Sequence, residues 1–438
     1  MKEIISKIIF ILIDIVAIIL SIYLAFLTRN SFQGAIPHEI PFSVYLHFYP
    51  LYIVVIALFS YEGIYSYRYD FWHESRLILK ALIFAALLLF AYLAMTKTVE
   101  HYSRFVFGVS FIYMLIVIPV AKRFIKTTLS KMKLWQKRAK IYGDDPFLTK
   151  EVYGDPYLGY VKPKPGEKYS AIFINSKDSD LQTLKQRLAT QLKKRDEVIY
   201  IPIVDEYNLA LSHIYELSAT RTNLIVYENR LKSWYRQLFQ NMVNYLLALL
   251  LLPILLPIIG VISLLIKLES PGPVFFVHNR IGKNGKIIPV IKFRSMYQDA
   301  KERLEEMLKN DSAIRKEWES CFKLKEDPRV TKVGNFLRKS SLDELPQIFN
   351  VFKGEMNFVG PRPVIQDEID NYYKEDAEYY YMVKPGITGL WQVSGRSDTD
   401  YEFRVSTDRW YVTNWTLWLD IMILIKTVGV VLKRDGAY

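Results

Sequence analysis

Two adjacent carboxylates, Asp343 and Glu344, stand in the run Arg338-Lys-Ser-Ser341-Leu-Asp343-Glu344-Leu-Pro346-Gln347. Paired acids in a turn, with cations just upstream, make a place where a metal ion and a phosphate can meet. Spacing alone also allows a blander reading, in which Ser341-x-x-Glu344 is a capping box and Glu344 only starts a helix. Pro346 weakens that alternative, because proline favours the first helical position and would leave both acids in the turn before it. Further upstream, Pro289-Val-Ile-Lys292-Phe-Arg294-Ser-Met296 reads as a strand. Its period of two puts Lys292 and Arg294 on one face and Ile291 and Phe293 on the other. Either two cations face one site, or charge keeps a strand edge soluble. Asp398-Thr399-Asp400 matches the Asp-x-Asp pattern of metal-dependent glycosyltransferases, but so short a match arises readily by chance among 45 acidic residues.

The elements that position these groups must include a membrane. Hydrophobic residues make up 51% of the 438 and charged residues 23%, so apolar and polar stretches are segregated, and the length predicts two to four units. The net charge of +12 suits an anionic membrane surface, a nucleic acid or a phosphorylated substrate, and cations flanking membrane segments account for part of it. A single cysteine, Cys321, excludes an intrachain disulfide and makes a structural zinc site implausible.

Four apolar runs, near 8–27, 46–64, 77–96 and 105–121, have the roughly 17 to 25 residues a spanning helix needs. They predict a four-helix membrane bundle over 1–130 whose first helix is an uncleaved anchor. Lys2 and Lys7 precede the first run, Arg68 and Arg76 lie between the second and third, and Lys122, Arg123, Lys126, Lys131, Lys133, Lys137, Arg138 and Lys140 follow the fourth. The positive-inside rule then puts the N-terminus and everything after Lys122 in the cytoplasm. Residues 138–230 predict a small Rossmann-like α/β domain, with β-like runs at Ala139–Tyr142, Ala171–Asn175, Glu197–Ile203 and Asn223–Tyr227. Its first turn, Gly143-Asp144-Asp145-Pro146, lacks a glycine-rich fingerprint, so no dinucleotide is expected there.

Residues 235–438 predict a third, mixed α/β domain. It opens on a further apolar helix over 240–268, interrupted by Pro253 and Pro257. Arg230, Lys232 and Arg236 lie before the run, and Lys267, Arg280, Lys283 and Lys286 after it. Cations on both sides favour a bent, re-entrant helix over a simple fifth span. Near the end, Trp410, Tyr411, Trp415 and Trp418 accompany an aliphatic run, which predicts an amphipathic stretch in the membrane interface in preference to a tryptophan-rich core helix.

The blocks Lys292-Phe-Arg294-Ser-Met296, Asp327-Pro-Arg329, Arg338 to Gln347, Val359-Gly-Pro-Arg362-Pro363, Lys384 to Arg396 and Arg434-Asp-Gly-Ala-Tyr438 resemble the bacterial sugar transferases, the monotopic phosphoglycosyl transferases of the polyprenyl-phosphate hexose-1-phosphate type. The resemblance implies that Asp343 attacks the β-phosphorus of a UDP-sugar, that UMP leaves, and that undecaprenyl phosphate collects the sugar phosphate in a ping-pong cycle. It casts Glu344 as the dyad partner, with metal binding and proton handling both open. Lys292, Arg294, Arg338 and Arg362 become phosphate and nucleotide cations, with Arg396 a further candidate. Magnesium held by Asp343 and Glu344 would neutralise developing charge. The resemblance further implies a bacterial inner membrane location, a cytoplasmic catalytic face, and the first membrane step of O-antigen, capsule or exopolysaccharide synthesis. It favours galactose as the sugar, and no nucleic acid is expected as partner. The bundle and the α/β domain offer surfaces for a homodimer. The sequence departs from the family pattern at the entry to the re-entrant helix, where many members carry a basic pair and an aspartate and Asn241 and Asn244 stand here, and at Glu355, where aspartate is common. The competing classes are a glycosyltransferase that moves the sugar without its phosphate and a non-catalytic membrane scaffold.

Overall fold

A computed structural model describes residues 2–32, 40–96, 102–143, 146–176, 183, 184, 186, 190, 191, 197–201, 212–217, 222–226, 231, 233–310, 327–394 and 401–433. The chain divides into two compact units, Met1–Ile203 and Val204–Tyr438.

The first unit opens with α1 (Lys2–Ser31), α2 (Phe42–Leu46), α3 (Tyr49–Tyr61), α4 (Phe71–Met95) and α5 (Arg104–Lys131). Four stretches, Ile4–Ser31, Phe42–Tyr61, Phe71–Met95 and Arg104–Lys131, are long and apolar enough to cross a membrane, as the sequence predicts. Local chemistry sets their starts. Asp70 Oδ1 accepts from Trp72 N at 2.9 Å and His73 N at 3.1 Å and so caps α4. Ala17, Ser21 and Ala25 form a buried line of small residues on α1, which lets α5 approach closely.

Lys122 and Lys126, read from sequence as part of the cytoplasmic flank, are instead buried inside the bundle. Lys122 Nζ lies 2.8 Å from Asp14, whose Oδ2 also accepts from Tyr65 OH at 2.7 Å, and Lys126 pairs with Glu74. Two acids and two lysines thus neutralise one another where an unpaired charge would be costly. The helix continues past both lysines to Lys131.

After α5 come β1 (Lys137–Tyr142), α6 (Pro146–Gly154), β2 (Tyr160–Val161), β3 (Ala171–Asn175) and β4 (Glu197–Ile201), in a parallel sheet of order β2-β1-β3-β4. The expected parallel α/β layer is present, although the short β2 escapes sequence reading. Arg68, between α3 and α4, donates to Leu158 O at 2.9 Å and stacks 3.7 Å over Trp135, tying the bundle to this sheet. Asp144 and Asp145 lie outside the described residues.

The second unit begins with a hairpin of β5 (His213–Leu217) and β6 (Thr222–Val226), then α7 (Trp234–Glu269). Pro253 and Pro257 lie inside α7, which continues through both, so the expected interruption is not a break in the helix. The other turns and the tertiary packing hold the helical backbone despite the two missing donors. At 36 residues α7 would be about 54 Å long if straight. Its buried stripe of Gln240, Asn244, Ala248, Ile259, Ile262 and Ile266 runs nearly end to end.

Next come the antiparallel β7 (Phe275–Ile281) and β8 (Ile287–Phe293), α8 (Lys332–Ser340), a 3-10 turn over Leu342–Gln347 and α9 (Ile348–Phe352). The parallel pair β9 (Asn357–Val359) and β10 (Gly386–Thr388) follows, and α10 (Tyr401–Thr413) and α11 (Leu417–Lys433) close the described chain. Tyr411 and Trp415, expected in the membrane interface, are core residues instead. Trp415 Nε1 donates to Asp420 Oδ2 at 2.9 Å, and Tyr411 OH donates to Asp420 Oδ1 at 2.7 Å, so a buried carboxylate holds both rings inward. The exposed apolar face of α11 carries Ile425 and Val428.

Candidate active site

The dyad owes its place to one left-handed residue. Ser341, at φ 56° and ψ 18°, ends α8 and reverses the chain into the 3-10 turn that carries Asp343 and Glu344. A non-glycine residue in this region is strained, a common mark of a built site. Ser341 makes no side-chain cap bond to that turn, so the capping-box alternative is not what forms.

Against the turn lies β8. Lys292 Nζ donates to Glu344 Oε1 at 2.7 Å, and Arg362 Nη2 lies 3.6 Å from the same oxygen. Among the described residues no cation comes within ion-pairing distance of Asp343. Burial, and then the adjacent Glu344 charge, push the Asp343 carboxyl up to about 6, opposed by Lys292, Arg338 and Arg362. Near neutral pH the group is about nine-tenths ionised. Glu344 absorbs the close cations, and Asp343 keeps a basic carboxylate for attack.

Arg338 joins the site from the last turn of α8, its Nε donating to Ser295 Oγ at 2.9 Å. Arg294 does not join it. Its Nη1 and Nη2 donate to Pro271 O at 2.6 Å and Ser270 O at 2.7 Å, just beyond α7. The pleat ends at Phe293, so alternation no longer governs position 294, and unpaired carbonyls at a helix end draw in the guanidinium. Asp327 and Arg329 close on one another at 2.6 and 2.8 Å, bracing a loop. Arg396, Asp398, Asp400, Cys321 and the block 434–438 lie outside the described residues.

Sequence reasoning missed two positioning groups. Glu269, ending α7, accepts from Lys332 N at 2.7 Å and Val333 N at 2.9 Å, capping α8 from 63 residues away. Asn350 on α9 accepts from Ile291 N at 3.0 Å and donates to Glu355 Oε2 at 2.6 Å, which fixes β8 to the turn. Acidic preference at a helix start is a known signal, but an acceptor supplied from a distant part of the chain is invisible in one sequence. The departures at Asn241 and Asn244 also find use. Lys384 Nζ donates to Asn241 Oδ1 at 2.9 Å, and Asn244 Oδ1 accepts from Phe358 N at 2.7 Å.

No group of three or more metal-ligating side chains occurs among the described residues. Two adjacent carboxylates still fit magnesium, which takes one or two protein oxygens and completes its shell from water and phosphate. Asp343 and Glu344 offer that partial set, with Glu344 shared by Lys292.

Residues 235–434 match the family described as bacterial sugar transferase. Over 408 residues, 85% of this chain and 84% of the relative, the sequence is 36% identical to an undecaprenyl-phosphate galactose phosphotransferase of Salmonella typhimurium. It is 32% identical over 461 residues to a UDP-galactose-lipid carrier transferase of Erwinia amylovora, covering 97% and 96% of the two chains. A UDP-glucose:undecaprenyl-phosphate glucose-1-phosphate transferase of Escherichia coli is 40% identical over 326 residues, 68% of this chain and 65% of the relative.

Proposed function

Because this chain belongs to the bacterial sugar transferase family, we propose that it moves a hexose-1-phosphate from a UDP-sugar to undecaprenyl phosphate and releases UMP. The observation that carries the reading is the division of labour in the dyad: Glu344 takes Lys292 and Arg362, and the neighbouring Asp343 carboxylate is basic and ionised. An Asp343 oxygen attacks the β-phosphorus, the bond from that phosphorus to the bridging oxygen breaks, and UMP departs with the electron pair. An oxygen of the lipid phosphate then attacks the acyl phosphate and the Asp343 carboxylate leaves, so the cycle is ping-pong. Lys292, Arg338 and Arg362 surround the reacting phosphate with positive charge fixed before reaction. Magnesium, held by Asp343 and Glu344, would supply charge neutralisation on the diphosphate.

Both ends of α7 support a re-entrant placement on one membrane face. Gln240 Nε2 reaches Tyr411 OH at 3.3 Å and Glu269 caps α8, so start and finish pack on the same unit. In this reading Asp343 lies beside the headgroups, where a lipid phosphate is found, on the cytoplasmic side of the inner membrane. Galactose is the sugar favoured by the Salmonella and Erwinia relatives, and glucose is the second reading through the relative from E. coli.

The test incubates the full-length protein with undecaprenyl phosphate and UDP-galactose, UDP-glucose or UDP-N-acetylgalactosamine. Release of UMP with a trapped adduct on Asp343 is expected, fastest with UDP-galactose. Release of UDP would assign the protein to sugar-only transfer.

A further inference from the structure

The first turns of α7 carry neutral amides along a seam between two faces. At about 100° per residue, Gln237 and Asn241 fall between the buried line of Gln240, Asn244 and Ala248 and the exposed apolar side that carries Trp234, Leu238, Met242 and Tyr245. Tyr235 is exposed here as well, and tyrosine and tryptophan rings collect at the level of lipid headgroups. In the placement proposed above, this seam is where the protein surface meets the membrane.

Two lysines from separate loops reach it. Lys283, in the turn between β7 and β8, donates through Nζ to Gln237 Oε1, and the same amide is fixed from its other side because Gln237 Nε2 donates to Leu231 O. Lys384, two residues before β10, donates through Nζ to Asn241 Oδ1 at 2.9 Å. Gln237 and Asn241 are one turn apart, about 6 Å along the axis. The two ammonium groups are thus tethered a gap apart that one phosphate and its hydrogen bonds can close.

Among the described residues neither lysine has a carboxylate within ion-pairing distance. Each amide oxygen takes one of the three donors on its ammonium and none of the charge. Burial lowers the pKa of both lysines, and Lys283 lowers that of Lys384 further by its like charge. An anion between them would offset both costs. Lys384 also belongs to the layer that carries a site cation: Gly386 N donates to Pro361 O at 2.8 Å, and the next residue, Arg362, lies 3.6 Å from Glu344.

We infer that Lys283 and Lys384 together bind the phosphate of an anionic membrane lipid at the entry to α7. Such a phosphate comes from the polyprenyl acceptor or from bulk phospholipid. A phosphate monoester carries close to two negative charges near neutral pH and a diester only one, so a pair of lysines favours the monoester, undecaprenyl phosphate. The inference rests on the membrane placement of α7 proposed above.

Native mass spectrometry of the full-length protein in neutral detergent, titrated with undecaprenyl phosphate, phosphatidylglycerol or phosphatidylcholine, tests it. The parent should bind the three in that order of decreasing affinity. Lys283→Gln combined with Lys384→Gln should weaken undecaprenyl phosphate binding roughly 10- to 100-fold, the effect of losing charged contacts. Arginine at both positions should keep most of the affinity. In turnover assays the glutamine double variant should show a raised KM for undecaprenyl phosphate and an unaltered KM for the UDP-sugar. A loss confined to undecaprenyl phosphate assigns the site to the acceptor, an equal loss for phosphatidylglycerol assigns it to anionic headgroups in general, and both uphold a lipid-phosphate site. Unchanged binding of both anionic lipids, an equal loss for phosphatidylcholine, or an equal loss in the arginine variants would overturn it. If the double variant does not fold, the single glutamine variants decide by the same readings. Binding is measured without a UDP-sugar, so a parent that releases no UMP refutes the transfer reading and leaves this site standing.

Discussion

Lys292 Nζ lies 2.7 Å from Glu344 Oε1, whereas the adjacent Asp343 has no cation so close among the described residues. Two neighbouring carboxylates thus sit in different electrostatic settings, the arrangement that separates chemical roles in paired acids. The strained Ser341 creates the difference by turning both residues onto β8 at the level of Lys292.

One consequence is a pH limb. Asp343 titrates near 6 and must be ionised to attack, so the rate of adduct formation should fall below about pH 6 and level off above it. Glu344→Gln removes the neighbouring negative charge that helps raise this carboxyl, and its acid limb should move to lower pH. Single-turnover UMP release across pH 5 to 8 (about that range) checks both. A limb unchanged in Glu344→Gln would show that the acids are not coupled.

Stability runs the other way. The folded-state pKa of Asp343 lies above the ordinary 3.8, so the folded state holds its proton more tightly. Stability is therefore lost as pH rises from about 4 to 6. At pH values above that window Asp343→Asn should abolish transfer and raise the unfolding temperature. Thermal unfolding of the detergent-solubilised variant measures it, and a fall in melting temperature at neutral pH contradicts the burial argument.

Arg294 and Arg338 should separate cleanly. Arg294 ties the carbonyls of Ser270 and Pro271, whereas Arg338 bonds Ser295 and faces the dyad. Losing two charge-assisted bonds costs about 3 kcal/mol, so Arg294→Ala should lower folded protein and total activity in parallel. Arg338→Ala should leave folded protein in membranes while turnover drops by about 10-fold or more, in line with the loss of one charged contact. Specific activity per folded molecule distinguishes them.

Glu269→Ala leaves the Thr331 cap on Gly334 N in place and removes the acceptor of Lys332 N and Val333 N at the start of α8, whose far end leads into Asp343. Helix caps are worth about 1 kcal/mol, and glutamine should replace the carboxylate in part because its oxygen still accepts. The expected pattern is a small loss of stability with a larger loss of turnover in the alanine variant, read by comparing unfolding midpoints with kcat. Turnover falling no further than the folded fraction would confine Glu269 to a structural role.

What was legible in the sequence follows from the range of the forces involved. Apolar runs near 8–27, 46–64, 77–96 and 105–121 are local, and each falls on a helical stretch of spanning length, the second divided between α2 and α3. The paired acids Asp343 and Glu344 and the strand cation Lys292 are legible from residue type and spacing, the resemblance supplies their roles, and Lys292 meets Glu344 in space. Arg294 was misplaced because alternation is a rule for a continuing strand, and β8 stops one residue earlier. Tyr411 and Trp415 were misplaced because the carboxylate that draws them inward, Asp420, reads from sequence like any surface acid. Pairings across long separations, such as Glu269 with Lys332, leave no trace in one chain.

The same blindness concealed the charges inside the bundle, and they support a sharper test. Lys122 is 2.8 Å from Asp14 and 3.8 Å from Glu74, with all three side chains shielded from solvent. Removing one partner from a buried pair strands the other charge, at a cost of about 3–5 kcal/mol. Asp14→Leu alone should therefore sharply reduce folded protein in membranes. Replacing both partners, as Asp14→Leu with Lys122→Met, removes the stranded charge along with its mate and should recover most of the loss, since apolar residues pack well in that setting. Glu74 would then be balanced by Lys126 alone, which its existing contact already provides. A double variant as unstable as the single one would mean that Asp14 and Lys122 do more than neutralise each other.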